Sequence, residues 1–371
     1  MTIDLPDSEE NKDDLVGTLV DKIGPKSFEQ WNREREFKQN VQSGRAYLNT
    51  PPPNKPARQH NPSQLNQCHR KIYYRQLNAP EETEDPEGIF WTGTKFEEEV
   101  MMPYLSSIVD GVAYIQNSIW VEFTVETDQG EVEFRGKTDP VVVDAESSPI
   151  LPTEIKTKQS IGSLEEPNAH HLAQTYAYMY GLSQAWETEI TDALIIYGDR
   201  TSLDIRPFHV QFDEDYWWDN VVAWAADHTG FRTDDRLPPA DPVFGWECRY
   251  CSFKTRCGET KKQFSDIDAV GFLPLFGEYP REKVINYLHS HEGAKLTPTL
   301  ANQYPELVGK YGSYRWRCPG CDGRFPIDVI EWTGDVSNLP DCPKCSDTGV
   351  SVALSGPDPD DQTPDETPRG D

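Results

Sequence analysis

The chain has no uninterrupted apolar segment of about 18 residues, which is the length that a helix needs to cross a bilayer. Residues 1–14 are acidic and contain neither the basic stretch nor the apolar stretch of a secretory signal. These two absences predict a protein that has no membrane partner and is located in the cytoplasm.

Basic residues are also scarce. Lys and Arg number 35 against 63 Asp and Glu, which gives a net charge of −28 and a pI of about 4.6. At low salt such a surface repels any polyanion, including nucleic acid. The repulsion is relieved in concentrated salt, because the screening length falls to about 3 Å at 1 M. We therefore expect a halophilic, haloarchaeal source.

A reducing cytoplasm does not keep disulfides, yet the chain has eight cysteines. They form two sets whose spacing is typical of metal ligands, and disulfides are the minor alternative. The first set, the clasp cysteines, is Cys68, Cys248, Cys251 and Cys257. The second set, the ribbon cysteines, is Cys318, Cys321, Cys342 and Cys345. Because Cys68 is far in sequence from its partners, their metal centre would enclose everything between them.

The ribbon cysteines form two Cys-Pro-x-Cys pairs separated by 20 residues, which is the spacing of a zinc ribbon. Bound Zn²⁺ would fold a β module that is too small to support its own core. Arg315, Trp316, Arg317 and Arg324 are candidates for nucleic-acid contacts, with protein docking or stability alone as alternatives. The clasp spacing fits either structural zinc or an iron–sulfur cluster.

Positive charge is concentrated beside the clasp cysteines. The basic residues concerned are His69, Arg70, Lys71, Arg75, Arg249, Lys254, Arg256, Lys261 and Lys262. If a metal joins the two segments, these residues form one basic patch. The alternative is that they are unrelated charges on solvated helices.

A chain of 371 residues is too long for one ordinary core. We predict an acidic, Pro-containing flexible arm that contains one helix at 27–41, a globular domain, a partly helical linker, a zinc ribbon and a disordered acidic tail. Their bounds are 1–58, 59–264, 265–312, 313–355 and 356–371.

Within the globular domain, hydrophobic periodicity predicts helices and strands in the order αβββαβ, which is a mixed α/β core. Asp139 lies near the start of one predicted strand, and Glu154-Ile155-Lys156 lies on the next. Since side chains alternate along a strand, Glu154 and Lys156 point the same way. Two carboxylates and an ammonium suit Mg²⁺ or Mn²⁺ and a water aimed at phosphate. The alternative is an ordinary Glu–Lys pair on a surface strand.

A helix predicted to follow this strand carries His170, Gln174 and Tyr178 at four-residue intervals, so the three side chains share one face. The side chains on such a face can line an active site. The alternative is an amphipathic helix whose polar face lies in water.

In chain order, Gly93, Gly136-Lys137-Thr138-Asp139, Glu154-Ile155-Lys156 and Gln174-x3-Tyr178 resemble the motifs of the RecB branch of the PD-(D/E)XK nucleases. With the clasp cysteines included, the chain most resembles the iron–sulfur members, and among them the family of CRISPR-associated exonucleases called Cas-four. The resemblance covers roughly residues 60–262. It implies a restriction-endonuclease-like fold, in which helices flank a mixed sheet.

The resemblance also implies a function and site residues. It implies a DNase that requires Mg²⁺ or Mn²⁺, trims single-stranded DNA ends, and holds a 4Fe–4S cluster on the clasp cysteines. Asp139, Glu154 and the carbonyl of Ile155 would be metal ligands. Lys156 would orient or activate the attacking water. Gln174 and Tyr178 would position the phosphate or a base near the scissile bond.

One position departs from the family pattern. Four residues after Gly93 the family usually has a histidine, whereas this chain has Glu97. A carboxylate also ligates Mg²⁺ or Mn²⁺, so Glu97 is a candidate metal ligand. The substitution leaves the metal preference and the polarity of cleavage open.

The leading hypothesis is a metal-dependent exonuclease that hydrolyses phosphodiester bonds at DNA ends, in DNA repair or in CRISPR spacer acquisition, with proteins of those pathways as partners. The alternative is a catalytically inactive protein that binds nucleic acid or docks a partner with the same fold. A redox sensor based on the cluster is a third hypothesis, which no residue favours. The joint presence of Asp139, Glu154, Lys156, Gln174 and Tyr178 favours the enzyme.

Overall fold

The computed structural model divides the chain into two compact units, Met1–Pro51 and Pro52–Asp371. It describes residues 54–109, 113–259 and 267–362, together with five positions of the first unit. Those five positions, Gln30, Trp31, Glu34, Arg35 and Lys38, are helical. The rest of the predicted 27–41 helix, the remainder of the arm up to residue 53, and the tail beyond residue 362 lie outside the described residues.

Ten strands lie in the described part of the second unit. In chain order they are β1 (Gln59–His60), β2 (Ala113–Gln116), β3 (Trp120–Thr127), β4 (Gly130–Lys137), β5 (Val141–Asp144), β6 (Pro149–Lys158), β7 (Asp192–Asp199), β8 (Ile205–Gln211), β9 (Trp316–Arg317) and β10 (Arg324–Phe325).

The α-helical segments of the same unit include two that continue through π-helical segments, Phe96–Met101 and Trp217–Val222. In chain order the α-helices are α1 (His69–Gln76), α2 (Glu87–Lys95), α3 (Met102–Ile108), α4 (Ala169–Trp186), α5 (Glu214–Tyr216), α6 (Ala223–Thr233), α7 (Arg281–Ser290), α8 (Pro298–Gln303), α9 (Pro305–Tyr311) and α10 (Pro343–Ser346). Short 3-10 helices occupy Pro62–Gln64, Glu247–Tyr250, Ile327–Val329 and Pro359–Asp361.

The central sheet has five strands in the order β2-β5-β6-β7-β8. Strands β6 and β7 run parallel, and the other neighbours are antiparallel. A second sheet has the order β1-β4-β3. The central strand β7 is apolar over Ala193–Tyr197 and is buried on both faces, as expected for a strand that is covered by helices. This mixed sheet with flanking helices is the predicted fold class, restriction-endonuclease-like α/β.

Two close contacts fix helices against the sheets. A Cβ at Gly181 of α4 would lie 2.8 Å from Cδ1 of Phe123 on β3, so glycine allows the helix to approach that strand. A Cβ at Gly198, near the end of β7, would collide with the ring of Phe96. Phe96 is buried, and its contact with Gly198 holds the π-helical segment that carries Glu97 next to the sheet.

Residues 267–312, predicted as a partly helical linker, contain α7, α8 and α9 around a separate buried core. This core includes Phe272, Tyr279, Val284, Tyr287, Leu296, Leu300 and Leu307. Tyr74 and Arg256 of the globular domain donate hydrogen bonds to backbone carbonyls of this segment. The segment is therefore packed against the globular domain and is not a free connection.

Residues 356–362, which composition assigned to a disordered tail, are packed against the protein. The side chain of Gln362 is buried and exchanges hydrogen bonds with the backbone of Phe272 at 2.8 and 2.6 Å. Tyr314 donates to the carbonyl of Gln362 at 2.6 Å. These contacts overcome the acidic, Pro-rich composition of 356–362, which by itself predicts disorder.

None of the helices in the described part of the chain combines the length and the apolarity that crossing a bilayer requires.

Candidate active site and cysteine sites

The fold brings the two predicted carboxylates and the lysine together. Asp139 lies in the turn before β5, and its Oδ2 accepts a hydrogen bond from the backbone N–H of Ile155 on β6 at 2.7 Å. Lys156 Nζ lies 3.6 Å from Asp139 Oδ2 and contacts Glu154 Oε1. Glu154 and Lys156 thus share the face that strand alternation predicted. Glu154 is fully buried, whereas the side chains of Lys156 and Asp139 are 28% and 18% exposed, so the cluster reaches the surface.

Burial and mutual repulsion control the protonation of this cluster. Burial, together with the carboxylate of Asp139, raises the pKa of Glu154 to about 8. The same two causes raise the pKa of Glu97 to about 7, which places Glu97 in the electrostatic field of the cluster. Burial disfavours the charge on Lys156, but Glu154 and Asp139 outweigh it and raise the pKa of the ammonium. Lys156 is therefore a cation and a hydrogen-bond donor at neutral pH.

The donor set fits a divalent metal ion such as Mg²⁺ or Mn²⁺. Hard carboxylate oxygens are the ligands that these ions prefer. The Lys156 ammonium contacts Oε1 of Glu154, whereas Oε2 has no hydrogen-bond partner among the described residues. A buried acceptor without a donor is costly, and a cation would satisfy it. The carboxylates of Glu97, Asp139 and Glu154 do not all lie within 4.8 Å of one another in the described structure. Here the Lys156 ammonium neutralises the pair that a metal would bridge.

The polar face of α4 is buried. Gln174 Nε2 donates to the hydroxyl of Tyr178 at 3.0 Å, and Tyr178 donates to the carbonyl of Lys137 at 2.7 Å, two residues before Asp139. Burial, followed by the carboxylates of Glu154 and Asp139, raises the pKa of Tyr178 well above its ordinary value. An amphipathic helix with this face in water is therefore excluded for Gln174 and Tyr178, whose side chains lie beside the carboxylate cluster.

The clasp cysteines line one pocket although they come from distant parts of the sequence. Cys68 precedes α1, and the other three belong to a loop that begins with the 3-10 helix Glu247–Tyr250. Their sulfur atoms do not all lie within 4.8 Å of one another in the described structure. Four thiols around one pocket could hold either a zinc ion or an iron–sulfur cluster.

Two buried carboxylates hold the loops of this pocket. Glu247 accepts hydrogen bonds from the backbone N–H groups of Cys68 and Phe244, both at 3.1 Å. Glu82 accepts from the N–H groups of Thr255 and Arg256 at 2.6 and 2.7 Å. Both carboxylates bridge segments that are more than 160 residues apart in sequence. Sequence reasoning missed both, because a lone glutamate carries no local signal of such a role.

The predicted basic patch is smaller than the sequence indicated. Arg256 is fully buried and donates to the carbonyls of Asp268 and Gly271. Arg70 is buried and donates to the carbonyl of Pro238 at 2.7 Å. His69 contacts Asp241 at 2.7 Å. These three basic side chains make contacts within the fold and are buried, so they do not form a surface patch. Lys261 and Lys262 lie outside the described residues.

The ribbon cysteines converge on a single point. Cys318 Sγ lies 3.6 Å from Cys345 Sγ, and Cys321 Sγ lies 3.7 Å from Cys342 Sγ. All four sulfur atoms lie within 4.8 Å of one another. A tetrahedral zinc site with bonds of about 2.3 Å requires sulfur separations of about 3.8 Å. The four thiols therefore form a metal site with the dimensions of zinc.

The predicted nucleic-acid contacts of the ribbon are partly wrong. Trp316 is buried in the ribbon core, where it packs edge-to-face on Trp332, and cannot stack on a base. Arg317 pairs with Asp361. Trp316, two residues before Cys318, is instead a large buried side chain in a module that has little other core.

A mixed sheet whose neighbouring strands present two carboxylates and a lysine defines a nuclease-like α/β domain with a candidate divalent-metal site. In agreement with this, residues 97–258 match the profile of the PD-(D/E)XK nuclease superfamily. Residues 97–258, which make up 44% of the chain, are thus similar to this superfamily, whose members are nucleases that use divalent metals.

Two solved structures are similar to this chain at low sequence identity. The crystal structure of SSO0001 is 17% identical, and the alignment covers 62% of this chain and 98% of that chain with a TM-score of 0.41. The structure of Rai1 from Scheffersomyces stipitis is 14% identical and covers 46% of this chain and 49% of that chain with a TM-score of 0.22. No curated protein matches the chain.

Proposed function

We propose that the protein is a metal-dependent DNA exonuclease that hydrolyses phosphodiester bonds at DNA ends. The observation that carries the proposal is the convergence of Glu154 and Lys156 on β6 with Asp139 in the turn before the neighbouring strand β5. Lys156 lies 3.6 Å from Asp139 Oδ2 and contacts Glu154. The superfamily of residues 97–258 supports a nuclease in general. DNA, and single-stranded ends in particular, are our more specific assignment.

Each residue of the cluster has a distinct task in this proposal. Asp139, Glu154, Glu97 and the carbonyl of Ile155 would hold Mg²⁺ or Mn²⁺. When bound, the ion would polarise the phosphate and lower the pKa of a water molecule. Lys156 carries its proton at neutral pH, so it acts as a donor that orients the water and stabilises the negative charge developing on phosphate. In this role it need not act as a base.

The remaining side chains position the substrate. Gln174 and Tyr178 form a buried hydrogen-bonded chain that ends on the carbonyl of Lys137. This chain fixes the backbone just before Asp139, and the amide of Gln174 is well placed to position the phosphate or a base near the scissile bond.

We further propose that the clasp cysteines hold a 4Fe–4S cluster and the ribbon cysteines hold Zn²⁺. The cluster would join Cys68 to the triplet and so close the nuclease domain. The ribbon would serve a DNA-repair or CRISPR-adaptation partner or the DNA itself, with exposed Arg324 as its candidate contact. A net charge of −28 supports activity in concentrated salt and a cytoplasmic, halophilic setting.

The test is a nuclease assay in molar KCl with Mn²⁺ or Mg²⁺ on single- and double-stranded DNA. Lys156→Ala and Asp139→Asn should each lower the cleavage rate by at least about 100-fold, the usual cost of removing a group that stabilises transition-state charge. Asp192→Asn is the matched control, because Asp192 is exposed and pairs only with nearby side chains, including His209 at 2.6 Å. Equal cutting by wild type and both site variants would leave the inactive DNA-binding or partner-docking protein as the better hypothesis.

A further inference from the structure

Two aromatic side chains form a stacked pair just before the cysteine triplet. The ring centroids of Phe244 and Trp246 are 5.6 Å apart and their planes differ by 13°. Phe244 is half-buried, whereas Trp246 is 45% exposed. An exposed indole that rests on a fixed ring offers a flat face to a further planar group. A Cβ at Gly245, between the two rings, would meet no atom within 4 Å, so the space beside the pair is open.

The pair lies at the entrance to the active-site helix. His170, in the first turn of α4, has its ring centroid 6.2 Å from Phe244 and 6.1 Å from Trp246. Gln174 follows His170 by one helical turn on the same face. The surface formed by His170, Phe244 and Trp246, here called the aromatic platform, is thus one turn away from the side chains that flank the carboxylate cluster.

The loop of the platform is held rigidly. The buried carboxylate of Glu247 accepts a hydrogen bond from the N–H of Phe244 at 3.1 Å and another from the N–H of Cys68 at 3.1 Å. The N–H of Glu247 also donates to the carbonyl of Phe244 at 2.9 Å. The turn that carries both rings is therefore fixed to the first clasp cysteine before any ligand binds, which reduces the entropy cost of binding.

The charge around the platform is positive, in contrast to the chain as a whole. Burial, and then the ammonium groups of Lys71, Lys158 and Lys156, lower the pKa of His170 to about 4. The ammonium groups of Lys71, Lys158 and Lys156 therefore act on the imidazole of His170 in a protein whose net charge is −28, although Lys156 is also paired with Asp139 and Glu154. Flat apolar rings beside ammonium groups are the combination that binds single-stranded nucleic acid, through bases and phosphates respectively.

We propose that the aromatic platform stacks an unpaired base of a DNA strand whose neighbouring phosphate enters the carboxylate cluster. This inference rests on the proposed nuclease function and deepens it. A base in a duplex is already paired and stacked, so the platform selects single-stranded ends. Stacking is not ionic, and it therefore gives the acidic protein an attraction to DNA that persists when salt screens the phosphates.

The experiment measures binding separately from cleavage. Fluorescein-labelled 15-nucleotide oligonucleotides, each with one abasic site at a successive position, are titrated with full-length protein without Mg²⁺ or Mn²⁺. Anisotropy is followed from 0.5 to 2 M KCl. For wild type, one or two positions should lose affinity about tenfold when the base is missing, which is the usual effect of removing one stacked base. The same fold-change should persist across the salt range.

The variants assign the effect to the platform. Trp246→Ala should weaken binding of the intact oligonucleotide about tenfold and abolish its sensitivity to abasic sites, and Trp246→Phe should restore both. Trp218→Ala is the matched control, since Trp218 is also exposed, at 39%, but lies in the distant π-helical segment Trp217–Val222. Quenching of tryptophan fluorescence by the intact oligonucleotide, but not by the sensitive abasic one, tests the stacking in wild type without relying on a folded variant.

Two results would overturn the inference: an abasic scan of wild type that shows no sensitive position, or equal scans for wild type and Trp246→Ala. If wild type also cuts DNA in a Lys156-dependent manner, the nuclease function would stand without the platform, and the aromatic surface would belong to a protein partner. If the scan succeeds but Lys156→Ala does not reduce cutting, the platform binds DNA and the catalytic assignment is the part that fails.

Discussion

The two cysteine sets of this protein differ in how much of the chain each one organises. The ribbon cysteines lie within 28 residues of one another in the sequence, and their sulfur atoms converge on one point with separations of 3.6 and 3.7 Å. The clasp cysteines span 190 residues and line a wider pocket. The ribbon cysteines connect only neighbouring segments, whereas the clasp cysteines line a pocket between the start of α1 and the loop that begins with Glu247–Tyr250. Sequence spacing thus separates a local cysteine set from a long-range one.

The prediction with the largest expected effect removes one cysteine from each set. Cys68→Ala should remove the long-range link and lower the thermal transition of the nuclease domain by many degrees or abolish it, because metal binding contributes on the order of 10 kcal/mol to such folds. Cys321→Ala should leave that transition in place. Scanning calorimetry with iron and zinc analysis measures both. If Cys68→Ala keeps its iron and its thermal transition, the clasp cysteines do not link the two segments.

Removing zinc tests the other half of the comparison. A chelator strong enough to extract one Zn²⁺ per chain should unfold the ribbon, since its buried core is little more than Trp316, Leu354 and three cysteines. Proteolysis should then cut within 313–355, while residues 59–259 stay resistant and keep the colour of an iron–sulfur cluster. A colourless protein that contains only zinc would instead show that the clasp cysteines do not hold an iron–sulfur cluster.

The sequence contained most of the information about both sites, for a physical reason. Cysteine spacing and the Glu154-x-Lys156 alternation are local patterns. Local backbone geometry alone determines which of these side chains share a face or lie close together. Strand β2 was missed because it pairs with β5, where Gln116 lies opposite Val141. Strand β3 was missed although it forms a hairpin with β4, because the two connecting residues, Asp128 and Gln129, are not the Asn-Gly or Asp-Gly pair that marks a tight hairpin in a sequence. The roles of Glu82, Glu247 and Arg256 depend on partners from other segments as well, and no pattern in their neighbourhood predicts burial of a charge.

A change of pH separates the stability due to carboxylates from the stability due to cysteines. The pKa of Glu154 is raised from 4.5 to about 8 in the folded protein. Its protonated form is therefore favoured by folding, and that contribution is complete below about pH 4.5 and is lost as pH rises through about 8. Without added divalent ions, wild type should lose about 2–4 kcal/mol of stability between pH 5 and 9 from this group.

The control for that loss is Glu154→Gln, which keeps the shape of the side chain but cannot ionise. Its stability should fall less than that of wild type over the same range. Some fall remains, because the pKa of Glu97 is raised to about 7 by burial and Asp139. Lys156 retains Asp139 as a partner at 3.6 Å. Saturating Mn²⁺ should stabilise wild type more at pH 8 than at pH 6, because the ion binds the ionised carboxylates. Thermal melts in molar KCl at a series of pH values measure these stabilities. If the stability of wild type and that of Glu154→Gln changed with pH in the same way, folding would not raise the pKa of Glu154.

The smallest expected effect concerns a side chain that has no counterpart in the ribbon. Among the described residues 313–355 no charged side chain is buried, whereas the buried carboxylate of Glu247 ties Cys68 to the loop of the triplet. Glu247→Gln supplies one acceptor where two N–H groups need one each, and should cost about 1–3 kcal/mol of unfolding free energy. Exposed Glu259→Gln, beside the same pocket, is the control. Denaturant titration measures the difference. Equal midpoints for Glu247→Gln and wild type would mean that the cysteines alone hold the segment of Cys68 to the loop of the triplet. The clasp and the ribbon would then differ in their cysteines and not in the protein around them.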